Sequence, residues 1–437
     1  MNLIRFIKSG LFSKKRVKCS ITAYLILWAS ALSWGQELAA ALKSKAVEIK
    51  SLDNAQFLLP MQKTFSSKRV IGLGEITHGT SEFRQFNNSL FKFLVEKCGY
   101  KVFALEASFT DAMYANNYVL YGTGDAQKAA SSLGYLFNTK EFIDLIGYMR
   151  SYNERKSDKE KLKFYGIDFF FSDCSLVIDA LKKDDAEYLA QLTRTNFFDK
   201  VLVNNLRAGV SDSIYRKLST EADKIVGKMQ TKANLDQKAY LPALIQAKNI
   251  KQCIMIFPHI REIGLYVRVR DQFMYENLES ILQMEGQDAK MLLYCNTGHA
   301  CKFKFAGQTA FSLGWYINQN HPGEYYAIGS EYEGGELAAR TKTSKGVMEC
   351  VQVKPVMEGS VGYLLSKMQY PMAFLDFTNL QGNKATAEWV RAKQNFHGGI
   401  GNSYTDGDEF EINPFIPLQF FDALLYIKTM TCAKKIN

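Results

Sequence analysis

The stretch Val70–Phe83, VIGLGEITHGTSEF, limits the architecture more than any other part of the chain. An apolar run fit for a buried strand stops at two glycines, an acid, a histidine and a third glycine. Phe83, Phe86, Leu90, Phe91 and Leu94 then recur at helical spacing as far as Gly99, a natural helix cap. A second apolar run, KVFAL (101–105), comes next and ends on Glu106. Strand, helix, strand is a βαβ unit, so the two strands are expected to be parallel and close. Further strand candidates are LKFYGI (162–167), KMLLYC (290–295), YYAIGS (325–330), MAFLDF (372–377) and ALLYI (423–427). Helical stretches separate them, which is the pattern of an α/β fold: a central, largely parallel sheet flanked by helices. Residues 37–69 read as a helix, with Leu38, Leu42, Val47 and Ile49 as its apolar positions, and a polar link. The segment 175–250 shows amphipathic helices without a strand signal, a helical excursion that is either a lid or a packing appendage.

Ligands of open α/β sheets sit beyond the carboxyl ends of parallel strands. Glu75 and His78 fall there on the first strand, and Glu106 on what is expected to be its neighbour. Several readings are open. Gly72-x-Gly74 imitates a dinucleotide-binding turn, but Thr77 stands where the third glycine belongs. The acids and His78 could form an acid/base pair, with Glu75 or Glu106 orienting the ring. The helix starting near Ser81 points its N-terminal dipole at His78, which is expected to keep the imidazole neutral and able to accept a proton. His299, in CNTGHACK, supplies a second imidazole at another strand end. Glu75, His78, Glu106 and His299 would also make a mixed nitrogen and oxygen site for a divalent metal. The bland alternative is a strand-to-helix turn with an incidental histidine.

Other residues carry weaker signals. Asp168 ends the FYGI strand on the same face, where it could serve structure or substrate. His397 lies in a Gly-rich loop, NFHGGIGNSY, that could bring backbone amides to a substrate. Arg270 and Asp271 read as a packing and capping network on a helix. His259 reads as a polar or partly packed residue, and His321 as a solvated loop residue. Cys98, Cys174, Cys253, Cys295, Cys301, Cys350 and Cys432 show no zinc-type spacing; an odd count leaves a thiol unpaired, and most read as buried small hydrophobes.

Taken together, GLGEITHGTSEF and VFALEAS resemble the erythromycin esterase family, also known as succinoglycan-biosynthesis-like proteins. The resemblance continues in order through FIDLIGYMRSYN (142–153), KFYGID (163–168), VRDQFMYENL (269–278), YCNTGHACK (294–302) and PLQFFDALLYI (417–427). It implies hydrolysis of an ester or lactone, such as a macrolide, by water, with neither a nucleophilic serine nor an essential metal. The absence of a Gly-x-Ser-x-Gly stretch agrees. It assigns the catalytic histidine to His78, the acids to Glu75 and Glu106, and the second histidine to His299. The family usually carries a basic residue nine positions after the first histidine; here that position is Asn87, and Arg84, one helical turn earlier, is the candidate substitute in substrate binding. The fold so implied is also related in outline to metallopeptidase-like and haem-binding proteins with a similar Gly-Glu-x-x-His turn. A metal- or haem-binding role, or a metal-dependent hydrolase, is therefore the alternative.

Charge and the first residues bear on partners and location. Arg5, Lys8, Lys14, Lys15, Arg16 and Lys18 precede any acid, and taking these six from the formal +10 leaves +4 on the remainder. Such a remainder argues against a nucleic-acid partner. The basic stretch precedes the apolar run Ile21–Leu32 and then Ser33-Trp34-Gly35, the form of a signal peptide over 1–35, ahead of one domain over 36–437. The apolar run is 12 residues, short of the ~20 a membrane span needs. A periplasmic or secreted protein without stable membrane insertion, acting on a small molecule, is expected.

Overall fold

The computed structural model describes residues 35–207, 210–259, 262–303, 311–397 and 400–436. The expected signal peptide, Gly35 apart, lies outside the described residues, as do Gly398 and Gly399 of the Gly-rich loop.

The strands are β1 (Val47–Glu48), β2 (Val70–Glu75), β3 (Val102–Ser108), β4 (Lys163–Asp168), β5 (Met291–Asn296), β6 (Tyr325–Ala339), β7 (Glu349–Val353), β8 (Met372–Asp376), β9 (Gln394–His397), β10 (Ile412–Phe415) and β11 (Ala423–Met430). Nine form one sheet in the order β1-β8-β11-β6-β2-β5-β3-β4, with β7 added to β6, and β9 and β10 form a separate antiparallel pair. From β11 to β4 every pairing is parallel, and the antiparallel pairings are those of β1, β7 and β8. The parallel strands carry continuous apolar runs because both faces are covered. Alternate residues feed opposite cores: Val102 and Ala104 one, Phe103 and Leu105 the other.

Two expectations need correction. β2 and β3 are parallel but not neighbours, because β5 lies between them and pairs with both. A strand some 190 residues further along the chain therefore joins the two ends of the first βαβ unit. The first helix also stops earlier than its apolar residues suggest, at 43, so that Val47 lies in β1. There it completes an antiparallel edge, whose pattern the helical reading masked.

On one face lie α1 (Ser81–Cys98), α2 (Phe109–Tyr121) and α3 (Lys140–Asn153). Gly99 ends α1 in the left-handed conformation, φ 76°, as the expected cap. Toward the other face pack α4 (Ser175–Asp184) and α6 (Gln237–Ile256) of the excursion and α7 (Ile263–Glu285) after them, and α5 (Asp212–Leu235) lies on α6 rather than on the sheet. Val177, Leu181, Leu244, Ile250 and Met274 share one buried core with Val102, Met291 and Leu293 of the sheet. The excursion is thus a structural layer. No helix among the described residues is long and apolar enough to cross a membrane.

Cys350 of β7 is disulfide-bonded to Cys432, just beyond β11, across 82 residues. Cys98, Cys174, Cys253, Cys295 and Cys301 are free and buried. Closing so long a loop restrains the unfolded chain by about 2–4 kcal/mol. Replacing both bridging cysteines, Cys350→Ser with Cys432→Ser, is expected to lower the thermal midpoint by as much as reductant lowers it in the wild type. Identical melting of all three samples would show that the bridge contributes nothing.

Candidate functional site

The strand order sets the site. Glu75 ends β2, Asn296 ends β5 opposite it, and Glu106 lies in β3 at an irregularity of the β3–β4 register between Leu105 and Ser108. Such bulges re-aim side chains. Beyond β5, the short helix α8 (Thr297–Ala300) carries His299, capped by Asn296 Oδ1 accepting from the Gly298 amide at 3.0 Å. The turn lies directly over Gly74, where a Cβ would meet the Thr297 Cα at 2.5 Å. Glycine here is a packing requirement.

The His78 turn is held by backbone. The His78 amide donates to the Gly401 carbonyl at 3.0 Å, and the Gly79 carbonyl accepts from Ala338 and Ala433 at 2.9 and 2.8 Å. A Cβ on Gly79 would approach the Ala338 carbonyl oxygen to 1.9 Å, so only glycine fits. His78 Nδ1–H donates to Glu75 Oε1 at 2.8 Å, and the other Glu75 oxygen accepts from the Tyr294 hydroxyl. Both residues are buried, Glu75 completely and His78 to within 9%. The acid that orients His78 is therefore Glu75; Glu106 is engaged elsewhere.

Two expectations change. Burial pulls the His78 pKa down, but the hydrogen bond and charge of Glu75, helped by Glu106, outweigh it and raise the pKa above 6.5. A paired carboxylate at contact distance overrides the helix dipole that was expected to keep the ring neutral. Arg84 is not open to a substrate: it is 1% exposed, and its donors go to the His78 and Leu136 carbonyls and, at 3.0 Å, to Thr139 Oγ1. It props the His78 turn from beneath. Asn87 is also fully buried, its Nδ2 donating to Asn88 at 3.3 Å.

Arg270, read from sequence as packing, is the hub of the second half. One terminal nitrogen donates to Glu106 Oε1 at 2.8 Å and Asp168 Oδ2 at 2.6 Å, and the other lies 2.9 Å from His299 Nε2. Glu106 Oε2 accepts from the Asn296 amide at 2.7 Å, and Oε1 lies 3.3 Å from His299 Nε2. Asp271 meets His299 Nδ1 as an ion pair, without the alignment of a hydrogen bond, while its Oδ2 accepts from the Leu313 amide at 3.2 Å. Asp168 spends its oxygens on Arg270 and the Phe169 amide, so it positions the guanidinium and offers nothing to a substrate. Burial opposes charge on Glu106, yet His299 and Arg270 hold its carboxyl well below the ordinary range. Burial likewise opposes a charged His299, but Asp271 and Glu106 win and raise it to about 10. The sequence signal for Arg270 was present in VRDQ, an arginine and an acid on one helical turn facing the sheet, but nothing in that spacing shows which strand ends it reaches.

The remaining histidines lie apart. His397 is buried and donates from Nδ1 to Glu331 Oε2 at 2.7 Å. His259 is exposed beside Glu262, and His321, expected to be solvated, is packed against Glu279 at 2.5 Å. Among the described residues, Glu75, His78, Glu106 and His299 do not converge as a group of metal donors. Arg270 presents its positive charge between Glu106 and His299, where a bound cation would need their lone pairs, so this donor set does not fit a metal. The set that does converge, Glu336 with Cys350 and Cys432, includes the disulfide sulfurs.

The Erythromycin esterase family model matches residues 95–430. The chain belongs to that family. Membership points to a hydrolase; the matched stretch holds Glu106, Asp168, Arg270, Asp271 and His299, while Glu75 and His78 precede it. Erythromycin esterase type II of Escherichia coli is 29% identical over 143 residues, 31% of this chain and 33% of that protein, so the chain matches only about a third of that relative's length. The putative hydrolase YbfO of Bacillus subtilis (strain 168) is 23% identical over 76% of this chain and 78% of its own. Among solved structures, a Bacillus cereus protein superposes with TM-score 0.81 at 20% identity, covering 92% of this chain and 99% of that one. A mutant of the erythromycin esterase EreC in its open conformation gives 0.66 at 16%, covering 87% and 95%. These structures share the fold.

The charge cluster has consequences for stability. Arg270→Met would leave Glu106 and Asp168 buried without their cation, at a cost of about 3–5 kcal/mol. Because His299 is protonated more readily folded than at its ordinary 6.5, its contribution is complete below pH 6.5 and is lost as pH rises through about 10. Thermal melts should therefore show the wild type's advantage over His299→Gln shrinking across that interval. A constant gap would contradict the charged imidazolium.

Proposed function

We propose that the protein hydrolyses an ester or lactone, a macrolide among the candidates, with His78 as the general base for water. The observation that carries this reading is the buried Glu75–His78 pair at the carboxyl end of a central parallel strand. With Nδ1–H committed to Glu75, Nε2 is the nitrogen left for water. In this reading Nε2 takes one proton as the water oxygen bonds to the acyl carbon, and the carbonyl electrons move onto oxygen. As the tetrahedral adduct collapses, the ester C–O bond breaks and the leaving alkoxide takes the proton back from the imidazolium. Arg270 and protonated His299 supply the positive charge that stabilises the oxyanion, and Glu106 and Asp168 hold them in place. No step uses a metal or a nucleophilic serine.

His78→Ala should remain folded and lose about 10²–10⁴-fold in kcat with KM little changed, or about 3–5 kcal/mol of transition-state stabilisation. Glu106→Gln should also be soluble and slow. Since the base works only when neutral and its pKa is raised, the rate should rise with pH through a value above 6.5. It should fall again near pH 10 as His299 loses its proton. A panel of macrolide lactones and acyl esters supplies the assay. Wild-type activity abolished by a chelator and restored by divalent metal would overturn the metal-free mechanism, and a fully active His78→Ala would remove the base.

We also propose export. The basic, then apolar, first 35 residues support it, as does a disulfide, which persists in oxidising compartments. Mass spectrometry of the protein from its native host should find a chain starting near residue 36. An intact Met1 would mean that no cleavage occurs.

A further inference from the structure

The carbonyl of Gly79, the residue after His78, accepts two amides from separate segments: Ala338 of β6 at 2.9 Å, and Ala433, beyond β11, at 2.8 Å. The β6–β11 ladder runs only as far as Gly335 and Met430. Past that point the Gly79 turn takes a bond from each chain, and Thr80 bridges to Cys432. The Ser81 amide donates to the Thr431 carbonyl at 2.9 Å, and the Thr431 amide returns a bond to Glu82 at 2.8 Å. The His78 turn and the start of α1 thus lean on the segment after β11.

The disulfide closes on the same two amides. Cys350 is the residue of β7 paired with Ala338 in the β6–β7 ladder, and Cys432 immediately precedes Ala433. The bridge therefore joins the neighbour of one donor to the neighbour of the other, where the β6–β11 ladder no longer holds them. Loop-closure entropy depends on the 82 residues between the cysteines and not on where the ends lie. Their placement on either side of Gly79 has its own consequence. Close approach demands glycine there, and glycine is the residue that restrains its own backbone least, so the turn depends on what holds its carbonyl.

We propose that the Cys350–Cys432 bridge positions His78: by fixing the Ala338 and Ala433 amides on the Gly79 carbonyl, it holds the turn from which the imidazole meets Glu75. The effect on turnover rests on the hydrolase reading; the effect on the ring does not. Two further ties, the His78 amide on the Gly401 carbonyl and Arg84 on the His78 carbonyl, do not pass through the bridge. Opening it therefore loosens His78 without releasing it.

Reduction tests this in the wild type, with no variant that must fold. A dithiol gives the bridge two electrons and two protons, leaving two thiols, and itself becomes a disulfide; Cys350 is exposed to it. Well below the melting temperature of the reduced protein, kcat should fall about tenfold with KM unchanged, and reoxidation should restore it. Cys350→Ser with Cys432→Ser should show the same low kcat and no further response to reductant. With isotope-labelled histidine, the five imidazoles give few signals, and that of His78 is assigned by its loss in His78→Ala. It should shift and broaden on reduction and return on reoxidation. A bridge that only stabilises would lower the thermal midpoint and leave kcat and the His78 signal where they were. An unmoved signal, or an effect on KM alone, would overturn the positioning role. The ester panel separates the two readings: a His78 signal that answers to reduction in a protein that hydrolyses nothing leaves the positioning standing and removes the hydrolase. Hydrolysis with the signal unmoved does the reverse.

Discussion

A buried guanidinium is tolerable only when opposite charge surrounds it, and Arg270 meets that condition by drawing the carboxylates of Glu106 and Asp168 onto one helix, with the His299 ring beside them. Glu106 belongs to β3, Asp168 to β4, and His299 comes just after β5. A single side chain of α7 thus ties together the carboxyl ends of three adjacent strands. Asp271, next to it, fixes the His299 ring from the other side. The arrangement is a structural lock and a source of positive charge at once, because the pairs that offset the cost of burial also hold the guanidinium and the imidazolium at one edge of the sheet.

The strand order makes the lock possible. Were β2 and β3 neighbours, as a simple βαβ unit would have them, Glu75 and Glu106 would lie side by side and compete for the same histidine. With β5 between them, each acid serves its own imidazole: Glu75 holds His78 and Glu106 faces His299. The insertion demands close backbone approach, and glycines provide it. Gly74 lets the His299 turn lie on β2, and Gly79 lets the His78 turn receive the Ala338 and Ala433 amides.

Much of this was legible in the chain. The apolar runs near 70, 101, 162, 290, 325, 372 and 423 all became strands, because buried parallel strands are written as continuous apolar segments. Glu75, His78, Glu106 and His299 were legible because each ends such a run or comes just after one. What local pattern does not encode is pairing order: nothing in MLLYCN says that it enters between β2 and β3. The role of Arg270 was hidden for the same reason, since a helical Arg-Asp pair looks alike over solvent or over strand ends. Arg84 misled in the opposite sense. Its spacing from His78 suggested a charge facing substrate, but the rotation of α1 buries it under the turn. The short strands β1, β7, β9 and β10 were missed because edge and hairpin strands of two to five residues leave too little periodicity to read.

The two histidines of the site share a residue type and differ in what surrounds them. His299 has Asp271 at one nitrogen and Glu106 at the other, so its proton is held to about pH 10 despite burial and the nearby guanidinium. His78 has one carboxylate in contact, at Nδ1, with the positive charge of Arg84 behind it; Glu75, helped by Glu106, raises its pKa against the pull of burial. The difference that the geometry does show is one of free valence: His299 meets a carboxylate at each nitrogen, whereas the ring of His78 is tied at Nδ1 alone. Surroundings of this kind let groups of one chemistry differ in the charge they carry.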